Sequence, residues 1–212
     1  MKTYPVFLDL RGVHCAVIGG GKVAQGKVRK LLDAGAQVTV ISPAVTPALA
    51  RLLSRRRVRQ VKTRYRSGGL KRFWLVYAAS NDPEVNASAA REAKEAGILF
   101  NVVDRAALSN FIAPAVVRRG DLVIAVSTGG ASPALAKKIR QDLEKRFGKE
   151  YAPAVRLLAA ARRKLLSAHL PAAERRKLLA ELALSRPAEE IKRGGRKRAA
   201  RRMAAVLKKA GI

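Results

Sequence analysis

The sequence predicts an α/β fold with a parallel sheet and a helical C-terminal part, on three observations. Apolar runs of strand length alternate with stretches of helical periodicity from Cys15 to Asp104. The first of these units, "CAVIGGGKVAQGKVRKLL" at residues 15–32, sets three glycines between its apolar run and its helical pattern. Past residue 111 the alternation stops, giving two strand-like runs too close together to hold a helix, and then helices only. Strands alternating with helices of this length imply parallel βαβ units.

Taken in order, Cys15–Ile18 reads as a short buried strand. Gly19, Gly21 and Ala24 have the spacing G-x-G-x-x-A. The first glycine permits a tight turn, the second lets a pyrophosphate approach the backbone, and the third small residue lets the helix pack on the strand. The helix start offers its unpaired N–H groups to an anion. Along that helix Val28, Leu31 and Leu32 form an apolar stripe, while Val23, Lys27 and Lys30 share another side. "AQVTVIS" (36–42) is a second strand, but it lacks the acidic residue that bonds a ribose 2′-hydroxyl in the usual fingerprint. Ser42 can bond a ribose hydroxyl in its place, which leaves NAD against NADP open.

Further on, "TPALARLLSRRRV" (46–58) reads as a helix capped by Thr46, with Pro47 at its first position. "RQVKTRY" (59–65) and "FWLVYAAS" (73–80) read as strands. "NDPEVNASAAREAKEAG" (81–97) is a helix opened by Asn81 and Asp82, and "ILFNVVD" (98–104) is another strand. "FIAPAVVRRGDLVIAVSTGG" (111–130) suits a hairpin turning at Arg118–Asp121. "SPALAKKIRQDLEKRFG" (132–148) is a helix with Ser132 as its cap and Pro133 at its first position. The expected organisation is a nucleotide-binding domain at 1–113, a dimerisation segment at 114–148, and a helical region with a basic tail at 149–212. Apolar residues of the middle segment, among them Val116, Leu135 and Ile139, call for a partner surface. The tail from Lys192 carries no acidic residue and shows little apolar stripe beyond Met203, Val206 and Leu207. It is therefore expected to add little to the core and to act electrostatically.

Composition narrows the function classes. One cysteine excludes an internal disulfide, and with two histidines it does not assemble a closed zinc site. No metal site is expected. No apolar run approaches the ~18 residues of a membrane span, and the first residues lack a secretory h-region, so the expected location is cytoplasmic with no membrane partner. The net charge of +29 would draw nucleic acid or any polyanionic small molecule, or reflect only a generally basic proteome. A nucleic-acid-associated protein with a degenerate nucleotide fold therefore stands as an alternative, disfavoured by the intact glycine turn.

Ligands of a parallel nucleotide-binding sheet sit beyond the carboxyl ends of its strands. The polar residues expected there are Ser80 with Asn81, Asn101 with Asp104, and Ser127 with Thr128. Asp104 is the carboxylate at such an end not followed directly by a helix, suiting either catalysis or a turn. Ser127-Thr128-Gly129-Gly130 precedes a helix start and suits either a second anion site or a plain cap.

The ordered segments "YPVFLDLRGVHCAVIGGGKVAQGKVRKLLDAGAQVTVISP", "VYAASNDPEVN", "FNVVD" and "SNFIAPAVVRRGDLVIAVSTGGASPALAKKIR" resemble the precorrin-2 dehydrogenase / sirohydrochlorin ferrochelatase family. The resemblance runs from residue 4 to about 165. It implies a Rossmann-like domain, a homodimer, and NAD-dependent oxidation of precorrin-2 to sirohydrochlorin on the route to siroheme. Insertion of ferrous iron by the same protein, or metal insertion alone, is a further implied reading. Asp104 matches the family's catalytic aspartate and Asn101 the asparagine beside it. Gly19, Gly21, Lys22 and Val23 match the pyrophosphate turn, and Ser42, Pro43 and Ala44 the adenosine side, with Ser80 assigned to the cofactor as well. Ser127, Thr128, Gly129 and Gly130 match a serine-rich turn lining the tetrapyrrole pocket, where Thr128 stands for a frequent serine.

Overall fold

The computed structural model describes residues 3–208 and 211–212, which form two compact units, Met1–Ala113 and Pro114–Ile212. In the first, five strands alternate with helices: β1 (His14–Ile18), α1 (Lys22–Asp33), β2 (Gln37–Ile41), α2 (Pro47–Ser54), β3 (Arg59–Val61), β4 (Leu75–Ala78), α3 (Pro83–Glu95) and β5 (Leu99–Val102). All neighbours in this sheet are parallel, in the order β3-β2-β1-β4-β5. The order reverses direction between β1 and β4, as in the Rossmann-like folds, and ligands of such sheets sit at that reversal.

Two apolar layers cover the sheet. On one side Val17, Ala24, Val28, Leu31, Val38, Val40 and Leu49 join the inner faces of α1 and α2 to the strands. On the other, Ile18, Val76, Phe100, Ala89 and Ala93 join α3 to β1, β4 and β5. Strands buried on both faces read as continuous apolar runs, which is why Cys15–Ile18 and Leu75–Ala78 were legible. Cys15 is fully buried, and burial pushes its thiol up to about 11, so it is an inert core residue.

Elements are shorter than the sequence suggests. α2 ends at Ser54, and the left-handed Arg56 (φ 53°) turns the chain out of the helix. The edge strand β3 holds three residues where seven read as strand. The other edge, β5, is closed by side chains: Asn110 Oδ1 accepts from Phe100 N and its Nδ2 donates to Ile98 O, while Ser109 Oγ accepts from Val102 N. Covering an exposed strand edge in this way removes a template for mispairing.

The second unit opens with an antiparallel hairpin, β6 (Ala115–Arg119) and β7 (Leu122–Val126), turning at Gly120 (φ 62°). α4 (Pro133–Arg146) packs on it, and Arg119 donates to the Glu144 and Phe147 carbonyls at the end of that helix. α5 (Tyr151–Ser167), α6 (Ala172–Leu184) and α7 (Pro187–Lys208) follow. Here the structure corrects the sequence reading of the tail. Met203, Val206 and Leu207 of α7 are buried with Ala161 and Leu165 of α5 and Leu178 and Leu182 of α6. α7 kinks at Gly194–Gly195, and Glu190 bridges the kink to Arg198 (3.0 Å) and Arg202 (2.5 Å). Three apolar residues at helical spacing suffice once α5 and α6 supply the complementary face. Outward-facing arginines conceal that stripe in a one-dimensional reading.

Candidate active site

Parallel strands bring their carboxyl ends to one edge of the sheet. There the β1–α1, β2–α2 and β4–α3 turns line a cavity of about 620 Å³ that includes Gly19, Gly21, Ser42, Arg64, Tyr65 and Ser80. Gly19 has φ of 113°, and a Cβ there would run into the Ala79 carbonyl. A Cβ on Gly20 would run into the carbonyl of Ala44. Gly21 is different: nothing lies within 4 Å of where its Cβ would be. The first two glycines are therefore demanded by the protein's own packing, and the third faces open space at the N-terminus of α1. Gly21 caps α1 without a side-chain hydrogen bond, and Ala24 in the next turn is fully buried against the strand. This is the strand–turn–helix geometry that the spacing predicts, and the first N–H groups of such a helix have no partner within it. Lys22 and Val23 stand exposed on its first turn.

The β2–α2 turn is built from side chains committed to the fold. Ser42 Oγ donates to Ala44 O at 2.7 Å, so it can only accept from a ribose hydroxyl, and Gln60 Nε2 donates to the Ser42 carbonyl at 2.9 Å. Thr46, the cap of α2, donates to Gln25 Oε1 of α1, and its N–H donates to Gly20 O. The two turns are thereby tied together. At the third turn Asn86 clamps Ser80 by accepting from its N–H (3.1 Å) and donating to its carbonyl (2.9 Å). Gln25 and Asn86 were not singled out in the sequence, because a polar residue on a helix carries no local sign of a distant partner.

Asp104 stands just past β5 with φ of 61° and an exposed side chain. A left-handed conformation in a non-glycine residue is uncommon, and aspartate tolerates it better than most. Asn101 does not share that exposure. It lies on β5 opposite Tyr77 of β4, and its Nδ2 donates to Phe111 O at 3.0 Å. That bond ties the segment that follows Asp104 back to β5 at Phe111. Tyr77 meets the Phe111 ring edge-on at 5.4 Å, and burial raises its hydroxyl to about 12.

In the second unit, Ser127–Gly130 form the turn before α4. Thr128 Oγ1 accepts from Ser132 N (2.9 Å) and donates to Ser132 O (3.1 Å), while Ser127 Oγ accepts from Gly129 N. Gly129 and Gly130 have φ of 64° and 90°, which side-chain-bearing residues rarely adopt. Thr128 thus braces the turn, and the more exposed Ser127 keeps its donor. Among the described residues no group of three His, Cys, Asp or Glu side chains is placed to hold a metal ion, and no helix is long and apolar enough to cross a membrane.

The chain is similar to several known proteins. Residues 6–115 match a family described as putative NAD(P)-binding, and residues 119–146 match the central segment of sirohaem biosynthesis proteins. The siroheme synthase of Chromobacterium violaceum is 38% identical over 201 residues, covering 95% of this chain and 43% of that protein. That of Methylobacillus flagellatus is 44% identical over 144 residues, covering 68% of this chain and 31% of its own. The chain thus spans less than half the length of these relatives. Among solved structures, SirC, a precorrin-2 dehydrogenase, superposes with a TM-score of 0.73 at 29% identity, covering 85% of this chain and 89% of that one.

Proposed function

From the premise that the chain belongs to the putative NAD(P)-binding family, in the form carried by siroheme synthases, we propose that it oxidises precorrin-2 to sirohydrochlorin with NAD. The observation that carries this reading is an open glycine cradle and a solvent-facing carboxylate, Asp104, on the same edge of one sheet. SirC, named for this activity, shares the fold over most of both chains. The balanced reaction takes precorrin-2 and NAD⁺ to sirohydrochlorin, NADH and a proton.

Bound NAD supplies the hydride acceptor. Gly21 and the first N–H groups of α1 hold the pyrophosphate, and Ser42, Pro43 and Ala44 border the adenosine. Lys22 adds a positive charge at the helix start, Val23 an apolar surface, and Ser80 a polar contact. Asp104 accepts the proton that the macrocycle loses as hydride leaves, a general-base role typically worth about 10²–10⁴ in rate. Ser127–Gly130 present N–H groups and a hydroxyl suited to the macrocycle's carboxylates. If ferrous iron is also inserted as a substrate, Asp104 is the group that would receive the displaced pyrrole protons.

The test is NADH formation at 340 nm from enzymatically prepared precorrin-2. The expected result is turnover with NAD; no signal with either NAD or NADP overturns the reading. We further propose a homodimer through the second unit, where Val116, Leu135 and Ile139 expose apolar surface. Light scattering should then report about twice the 22.9 kDa of one chain.

A further inference from the structure

One charged side chain within electrostatic reach of Asp104 has no part in the cradle. Lys27 lies on α1, five residues past Lys22 and so about 7.5 Å further along the helix axis. Its Nζ sits 4.7 Å from the centroid of the Tyr77 ring, and that ring is itself buried against Phe111. Tyr77 in turn pairs in register with Asn101, which holds the segment leading from Asp104. The ammonium therefore belongs to the Tyr77–Asn101 side of the sheet edge.

Its surroundings are unusual for a lysine. Burial works against its charge, neighbouring Lys30 adds to that, and Asp104 is near enough to work the other way, with a net lowering of its proton affinity. Among the described residues Lys27 makes neither a hydrogen bond nor an ion pair within 4.0 Å, Asp104 included. Lys27 is half-buried, and a lysine partly withdrawn from water gains by pairing, because a desolvated charge without a counter-ion is costly. The aromatic face offsets only about 0.5–2 kcal/mol of that cost. What remains is an ammonium with three donors and no anion to receive them.

We propose that Lys27 is a substrate-binding residue: its ammonium, seated on the Tyr77 ring, takes a side-chain carboxylate of the tetrapyrrole. A compact point charge on a ring face suits one carboxylate oxygen, and the +29 net charge of the chain favours arrival of a polycarboxylate. The inference rests on the proposed reading that the substrate is precorrin-2.

The experiment measures equilibrium binding of uroporphyrin III, a polycarboxylate porphyrin, by fluorescence, alongside NAD affinity and steady-state kinetics with precorrin-2. Lys27→Met keeps the apolar stem on Tyr77 and removes the charge. It should weaken uroporphyrin binding and raise the KM for precorrin-2 by about 10–100-fold, the worth of a hydrogen bond to a charged group. NAD affinity should hold, kcat should stay within about threefold, and Lys27→Arg should recover most of the lost affinity. Unchanged uroporphyrin affinity in Lys27→Met overturns the inference. So does a collapse of kcat with KM intact, which would put Lys27 in the chemistry, or a loss of NAD affinity, which would tie it to the cofactor. If the unaltered protein binds NAD but neither binds uroporphyrin nor oxidises precorrin-2, the proposed function itself falls and this assignment with it.

Discussion

Asp104 holds its carboxylate in a left-handed residue, so the choice of substitution decides what is learned. Alanine would remove the carboxylate and also strain the backbone, whereas asparagine tolerates φ near +60° and keeps the shape. Asp104→Asn is expected to lower kcat by about 10²–10⁴ while leaving the melting temperature and the NAD affinity within error, as checked by steady-state kinetics and a thermal melt. A second carboxylate works for stability. Burial opposes the charge of Glu92, but hydrogen bonds from the Tyr65 hydroxyl, Leu70 N and Gly68 N outweigh it and hold the carboxyl below the ordinary glutamate value. A group with a lowered folded pKa contributes stability above its unfolded pKa and loses it as pH falls through the folded one. Glu92→Gln should therefore destabilise the protein by about 1–3 kcal/mol at pH 7, and by less as the pH falls below the unfolded glutamate pKa of about 4. Urea titrations at the two pH values measure that difference.

At the level of elements, the β1–α1 turn separates packing from ligand. Gly20→Ala would drive its Cβ into the Ala44 carbonyl and push the β2–α2 turn away, so the first unit should lose stability whether or not cofactor is present. Gly21→Ala places its methyl in open space and should melt close to the unaltered protein, with NAD affinity reduced about tenfold or more because the methyl stands where the pyrophosphate approaches. Paired thermal melts and NAD titrations on the two variants check the contrast. Equal loss of stability in both would mean that Gly21 also serves the fold. The same turn shows how elements support each other: Thr46 caps α2, reaches Gln25 on α1 and donates its N–H to Gly20.

For the whole chain, the charge and the fold are not separate properties of the C-terminal part. α7 carries most of the tail's arginines outward while Ala199, Met203, Val206 and Leu207 face inward. Removing residues after Ile191 strips the α5–α6 pair of that surface and releases Glu190 from Arg198 and Arg202. Truncation is expected to melt the second unit and expose apolar surface to a reporter dye, and Met203→Ala alone should cost about 2–5 kcal/mol. The surface charge contributes separately to capture. Raising salt from about 0.05 M to 0.5 M shortens the screening length severalfold, so kcat/KM for a polycarboxylate should fall while kcat changes little.

How much of this was legible follows from the range of each interaction. The sequence by itself determined the parallel βαβ alternation, the hairpin, the caps at Thr46 and Ser132, and the glycine turn before α1. Each of these is written in a period, a spacing or a turn residue within a few positions. It also pointed to Asp104, as a carboxylate at a strand end. Only the tertiary structure decided that Asn101 positions the segment past Asp104, that Ser42 and Thr128 spend their hydroxyl protons on neighbouring carbonyls, and that the basic tail is core. Lys27 shows the difference most plainly. One lysine among many in the sequence, it is set apart by Tyr77, fifty residues later in the chain and 4.7 Å away in space, because a parallel crossover returns β4 to the strand beside β1. The environment that makes a side chain functional is made by residues far along the chain, and no local pattern records it.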